Sequence, residues 1–171
     1  MRHRLVSLLF LLFAGFVCTM ISGCKGEQRP ADLPALHPCT LTFKQEGKPL
    51  SGAVISLESG QSSKWSVTSL TDESGVAKMV THGKYPGVPE GDFTIVVSKE
   101  ENEQEQTNRK TVDDLGNEME VGGMISTYTR VEKDYTDAAT SPLKITIVKG
   151  KNEQEFDCGQ AVRGLLRKVA P

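Results

Sequence analysis

The chain has 171 residues, 37% hydrophobic and 6% aromatic, with 20 Lys and Arg against 22 Asp and Glu and a net charge of −2. That length suffices for one domain with its own core. The interspersed charges exclude the concentrated basic footprint that nucleic-acid binding requires, and few aromatics among many β-branched residues favour strands. The first element is a basic Met1-Arg2-His3-Arg4, followed over 5–17 by the apolar run LVSLLFLLFAGFV. A basic segment leading into a short apolar one is the pattern of a secretory signal peptide. A spanning helix needs about 20 apolar residues; even extended to Ile21 this run falls short, and Lys25 and Glu27 follow at once.

Ile21-Ser22-Gly23-Cys24 resembles the lipobox of bacterial lipoproteins, an aliphatic residue and two small ones before cysteine. The resemblance implies a diacylglyceryl thioether on Cys24, cleavage just before it, and residues 1–23 as a lipoprotein signal peptide. Two or three acyl chains make such an anchor stable, where one chain alone binds weakly. Lys25 rather than Asp after the cysteine is compatible with outer-membrane sorting. Removal of 1–23 takes Arg2 and Arg4 with it, leaving 18 basic residues against 22 acidic ones and a net charge of −4. Cys18 is discarded with the apolar run. With Cys24 lipidated, Cys39 and Cys158 remain as an even pair in an oxidising compartment, and the simplest reading is a disulfide between them. It would close a loop of about 120 residues, worth roughly 4–5 kcal/mol in the chain-entropy model. The alternative is two buried, unpaired thiols.

Residues 24–38 form the lipidated N-terminus and a linker, rich in proline and without periodicity. His37 reads there as a solvated linker residue. From Cys39 the pattern becomes short strands separated by turns. CTLTF at 39–43 alternates, a turn at 45–48 follows, and strands are expected at 53–57, 64–70 and 76–80, with a tight turn at TDESG, 71–75. The stretch GKYPGVPEG at 83–91 reads as an irregular Pro/Gly corner. The strand at 92–99 has Phe93, Ile95 and Val97 on one face. Residues 100–123, opening EENEQEQ, read as a polar loop insertion. Strands resume at 124–131, at 143–148 with Leu143, Ile145 and Ile147 on one face, and at 153–158. The tail, 159–171, reads either as a brief helix through Val162, Leu165 and Leu166 or as a frayed end. About seven short strands with regularly spaced turns argue for an all-β sandwich.

Three blocks in order, GKPLSGAVISL at 47–57, TDESGVAKM at 71–79 and PEGDFTIVV at 89–97, resemble the carboxypeptidase regulatory-like, transthyretin-like β-sandwich. KDYTDAATSPLKITIVKGKNEQEFD at 133–157 is similar to the C-terminal part of Planctomycete-type small lipoproteins built on that domain. The resemblance spans 39–158 and implies a transthyretin-like (Ig-like) sandwich of about seven strands. Met79 departs from it, standing where Phe or an aliphatic residue begins the fourth strand, and the insertion at 100–123 lengthens a connection. One branch of the family hydrolyses 5-hydroxyisourate with His and Arg residues and a C-terminal Tyr-Arg-Gly-Ser; this chain ends Arg167-Lys168-Val169-Ala170-Pro171, which does not match.

No Ser/His/Asp or Cys/His set assembles around His37 and His82, so no catalytic residue, cofactor or metal site is assigned. Asp113, Asp114, Glu118 and Glu120 offer hard oxygens for calcium but lack the spacing of a calcium loop, and read as a solvated acidic stretch. Trp65, Tyr85, Tyr128 and Tyr135 could form a sugar-stacking platform, against which a lone Trp in a β-sandwich reads more simply as core. The functional expectation is a non-enzymatic lipoprotein of the bacterial cell envelope. A lipid holds it at the membrane, here the outer membrane with the domain periplasmic or surface-facing, and the domain meets an envelope protein or polysaccharide through loops or edge strands. Alternatives are a glycan- or peptidoglycan-binding module, marked by an exposed row of Tyr85, Tyr128 and Tyr135, and an accessory subunit of an envelope hydrolase.

Overall fold

The computed structural model describes residues 29–60, 64–105, 110–120 and 123–169. The signal peptide read over 1–23 and the lipid-bearing Cys24 lie outside these residues. The chain divides after Leu33, and the strands among the described residues lie in the unit from Pro34 onward. In chain order these are β1 (Leu36–His37), β2 (Cys39–Gln45), β3 (Lys48–Pro49), β4 (Val54–Glu58), β5 (Val67–Leu70), β6 (Val76–Lys78), β7 (Val80–Thr81), β8 (Tyr85–Pro86) and β9 (Val88–Pro89). There follow β10 (Gly91–Ser98), β11 (Glu100–Glu105), β12 (Lys110–Val112), β13 (Glu118–Glu120), β14 (Met124–Thr129), β15 (Lys144–Ile147), β16 (Asn152–Asp157) and β17 (Gly164–Val169). A 3-10 turn, Lys133–Thr136, lies between β14 and β15.

The protein is all-β, built from several sheets that are antiparallel apart from one pair. The largest runs β15-β10-β4-β5-β7-β8. In a second, β2 is flanked by β16 on one side and by β3 and β6 on the other, with β16 parallel to β2. Period-2 burial follows the apolar alternation of the sequence: Cys39, Leu41 and Phe43 on β2, Ile55 and Leu57 on β4, Phe93, Ile95 and Val97 on β10, and Ile145 and Ile147 on β15 are all buried. Both sheets contribute to one apolar cluster. Within it Phe43 and Phe156 stack at a centroid distance of 5.6 Å, joining the two strands of the parallel pair. Met79, the departure from the family pattern, fills its core position at 2% exposure.

Turn chemistry sets the register. Glu46 and Gly47 have φ of 52° and 73°, the two positive values that a two-residue hairpin between β2 and β3 requires. In the Asp72–Gly75 turn, Asp72 Oδ1 accepts from Ser74 N and Val76 N at 2.8 and 2.9 Å. Gly75 takes φ of 75° with its backbone pressed against the Phe43 carbonyl, a place where no Cβ fits.

Four expectations are corrected. The sheets begin at Leu36 rather than Cys39, because β1 pairs with β9 and takes two residues from the linker. The Pro/Gly corner at 83–91 holds the short strands β8 and β9, whose prolines themselves stand in register, Pro86 opposite Val80 and Pro89 opposite Leu36. Residues 100–105, 110–112 and 118–120 are strands rather than loop: β11 pairs residue for residue with β14, and β12 with β13. The tail pairs along the other side of β14 as β17, so helix and frayed end both give way. Its path is pinned upstream, where Glu46 N donates to Gly159 O at 3.1 Å and Ala161 N to Glu46 Oε1 at 3.1 Å.

Candidate functional site: the arm sheet

The sheet β11-β14-β17, here called the arm, continues directly from β10 through Lys99, and the β12–β13 hairpin lies between β11 and β14 in the chain as a separate two-stranded sheet. Its middle strand is buried by its neighbours: Ser126, Thr127 and Tyr128 are 0%, 3% and 5% exposed. On β11 exposure alternates, with Glu101 and Glu103 half-buried and Glu100, Asn102 and Gln104 exposed.

Ion pairs take the place of an apolar face. Arg130, immediately after β14, donates from Nε to Glu101 Oε2 at 2.8 Å and from Nη2 to Glu103 Oε1 at 2.5 Å. Arg163, just ahead of β17, donates from Nη2 to Glu103 Oε2 at 2.6 Å, and its guanidinium carbon sits 3.8 Å from the centre of the Tyr128 ring. Lys99 Nζ lies 3.3 Å from Glu101 Oε1. Hydrogen bonding to Arg163 holds the Glu103 carboxyl below the ordinary glutamate range, and hydrogen bonding to Arg130 does the same for Glu101. Both arginines are correspondingly raised. Elsewhere on the sheet Thr127 Oγ1 donates to Asn102 Oδ1 at 2.8 Å and accepts from Arg167 Nε at 3.2 Å, linking all three strands.

The pairing of β14 with β17 shifts register between Thr127 and Tyr128, a bulge that places two β17 residues, Leu165 and Leu166, where one would fit. Both are 51% exposed, and both line a cleft of about 520 Å³ at the root of the arm, with Glu100, Thr129, Lys133 and Thr136. A second, shallower hollow of about 380 Å³ lies over β10 and β15, where Lys144 Nζ meets Thr94 Oγ1 at 2.6 Å and Thr146 Oγ1 donates to Asp92 Oδ1 at 2.5 Å. Both contacts join directly opposed residues of the β10–β15 ladder.

The structure disperses the residues singled out from sequence. Cys39 and Cys158 are both buried and free, and the expected disulfide is corrected. In the parallel pair Cys39 stands opposite Asn152, whereas Cys158 follows Asp157, the partner of Lys44. Six strand residues, roughly 20 Å, therefore separate the two thiols along the sheet, against the 4.4–6.8 Å between Cα atoms that a disulfide spans. Burial pushes Cys39 up to about 11 and Cys158 up to about 12, the latter with help from Asp157.

His37 is no solvated linker residue: it lies in β1 with its side chain 12% exposed. Gly150 N donates to its Nδ1 at 3.3 Å. Its Nε2 lies 3.0 Å from Glu90 Oε1, an ion-pair distance without hydrogen-bond alignment. His82 is exposed at φ of 56° and packs edge-on to Trp65 at 5.0 Å. Trp65 is half-buried at the surface rather than core. The tyrosines form no exposed row, since Tyr128 is buried under Arg163 and Tyr135 packs on the core. Asp113 organises the hairpin turn, its Oδ1 accepting from Leu115 N at 2.9 Å and Asn117 N at 2.8 Å, and Glu118 pairs with Lys110 at 2.6 Å. Among the described residues no group of three or more His, Cys, Asp or Glu is placed to hold a metal, and no helix is long and apolar enough to cross a membrane.

Sequence reading missed the Arg130–Glu101–Glu103–Arg163 network. The β12–β13 hairpin did carry a signal: VDDLGNE at 112–118 repeats the Asp-x-x-Gly spacing of TDESGVA at 71–77. The two turns match bond for bond, Gly116 N returning to Asp113 O at 3.0 Å as Gly75 N returns to Asp72 O at 2.9 Å. No family profile, no curated protein and no solved structure matches this chain.

Proposed function

We propose that this chain is a non-enzymatic lipoprotein of the bacterial envelope: a lipid on Cys24, a short tether, and a transthyretin-like, carboxypeptidase regulatory-like sandwich that displays the arm sheet to a partner. The anchoring half rests on the ISGC motif at 21–24 and the basic-then-apolar segment before it. The display half rests on one structural observation, an arm in which Arg130 and Arg163 bind Glu101 and Glu103 and so hold its strands together while the outer edges of β11 and β17 carry no strand partner among the described residues. Such edges recruit extended segments through main-chain hydrogen bonds. The glycan-binding alternative asks for an exposed tyrosine row, and Tyr128 at 5% exposure supplies none.

Metabolic labelling with a palmitate analogue, followed by membrane fractionation, tests the anchor. The full chain is expected to carry label and to sediment with membranes, and Cys24→Ala to lose both. Label that survives the substitution, or a wild-type chain recovered unlabelled in the soluble fraction, overturns the reading.

A further inference from the structure

We propose that the partner met by the arm is a second copy of this chain, the acidic β11 edge of one copy pairing with the basic β17 edge of the next. This deepens the display reading above and rests on its open edges. Both edges are six residues long, roughly 20 Å of strand each with no strand partner on the outer side among the described residues. Their charges are opposite. β11, EENEQE, holds no basic residue and four glutamates, of which Glu101 and Glu103 are engaged internally by Arg130 and Arg163, whereas β17, GLLRKV, holds two basic residues and no acidic one.

The geometry favours a head-to-tail contact. β11 and β17 are each antiparallel to β14 and so run parallel to one another. A neighbouring copy displaced sideways, in the same orientation, therefore brings its β11 alongside β17 as a parallel pair, which sheets accommodate. Like edges repel: two β11 strands set glutamate against glutamate, and two β17 strands set arginine against arginine. The combination that charge favours uses one edge of each kind per copy and leaves another of each kind free, so the contact propagates into a row or closes as a ring rather than stopping at a dimer. It also covers apolar surface on the edge strand, since Leu165 and Leu166 are half exposed there.

The test is a charge swap in the full-length chain, purified in enough detergent that each micelle holds at most one chain, and read by sedimentation velocity over a concentration series. Arg167→Glu with Lys168→Glu makes both edges acidic; Glu100→Lys with Gln104→Lys and Glu105→Lys makes both basic. None of these five residues belongs to the Glu101–Arg130–Glu103–Arg163 network. Wild type is expected to form species larger than a dimer, dissociating in high salt. Each variant alone is expected to associate at least about fivefold more weakly, and an equimolar mixture of the two to recover wild-type association, which a misfolded variant could not do. A wild-type chain that stays monomeric throughout, association untouched by either swap, or variants that fail to rescue one another overturns the proposal. A monomer that still carries acyl label fails this inference alone, whereas self-association without label fails the anchor alone.

Discussion

Arg163 and Glu103 meet across the full width of the arm sheet. The guanidinium stands just before β17, the carboxylate lies on β11, and β14 runs between them, yet Nη2 and Oε2 are 2.6 Å apart. Glu103 receives Arg130 on its other oxygen, so one carboxylate ties both outer strands to the chain that follows β14. Glu103→Gln is therefore expected to speed amide exchange in β11 and β17 together and to leave β2, β4 and β10 unchanged. Hydrogen exchange read by mass spectrometry checks this, and uniform protection across the arm in the variant would contradict it.

Acid acts on the same contact. Hydrogen bonds from Arg163 and Arg130 keep Glu103 and Glu101 below the ordinary glutamate value of 4.5. A carboxylate depressed in the folded state stabilises it above the unfolded value, and that contribution fades as pH falls through the folded one. Arm protection is expected to be flat from pH 7 to about 5 and to decline below pH 4.5. In Glu103→Gln the acid-dependent part is smaller, because Glu101 alone remains to titrate.

The thiols behave oppositely. Cys39 and Cys158, pushed by burial up to about 11 and about 12, stay neutral and shielded in the native state, so both resist iodoacetamide at pH 8. After unfolding without reductant, peptide mapping is expected to find both alkylated; a disulfide-linked peptide pair would overturn the register argument. Because the folded values lie above the unfolded one of 9.0, the stability they confer is fully present below pH 9 and is lost as pH rises toward 11 and 12.

Gly75 is the least replaceable turn residue. An alanine there adopts a left-handed φ and drives Cβ into the Phe43 carbonyl, and Gly75→Ala is expected to destabilise the fold by about 2 kcal/mol or more. Gly116, with a similar φ but open space around it, tolerates the change with only the conformational cost of roughly 1–2 kcal/mol, confined to the β12–β13 hairpin. Urea unfolding midpoints distinguish the two sites.

Phe156→Ala removes the ring stacked on Phe43 and cuts the apolar link between the only parallel strands described. A loss of about 3–5 kcal/mol is expected from thermal or denaturant unfolding. A loss below about 1 kcal/mol would mean that the core collapses to fill the gap.

Strands with an apolar face were legible before any coordinates. CTLTF at 39–43 and DFTIVV at 92–97 alternate as buried strands must, and they lie where the alternation puts them. β11 was not legible, because its alternation divides half-buried glutamates from exposed polar residues and hydrophobicity carries no trace of it. β17 misled through Val162, Leu165 and Leu166, whose spacing suits one helix face; the open side of β14 and the anchoring of Gly159 and Ala161 decide for a strand. The cysteine pair shows the limit of counting. Alternation of Cys39 with Leu41 and Phe43, and of Cys158 with Phe156, puts both thiols on the interior face, while their separation along the sheet depends on the parallel register of β16 with β2, which no local pattern encodes.

The proposed anchor is tested most directly by the mass of the N-terminal peptide of the mature protein, isolated from bacterial membranes. A peptide that begins at Cys24 and carries a diacylglyceryl group on its sulfur is the expected result. A peptide that runs uncut through Gly23-Cys24, or one that begins at Cys24 with an unmodified thiol, would contradict it.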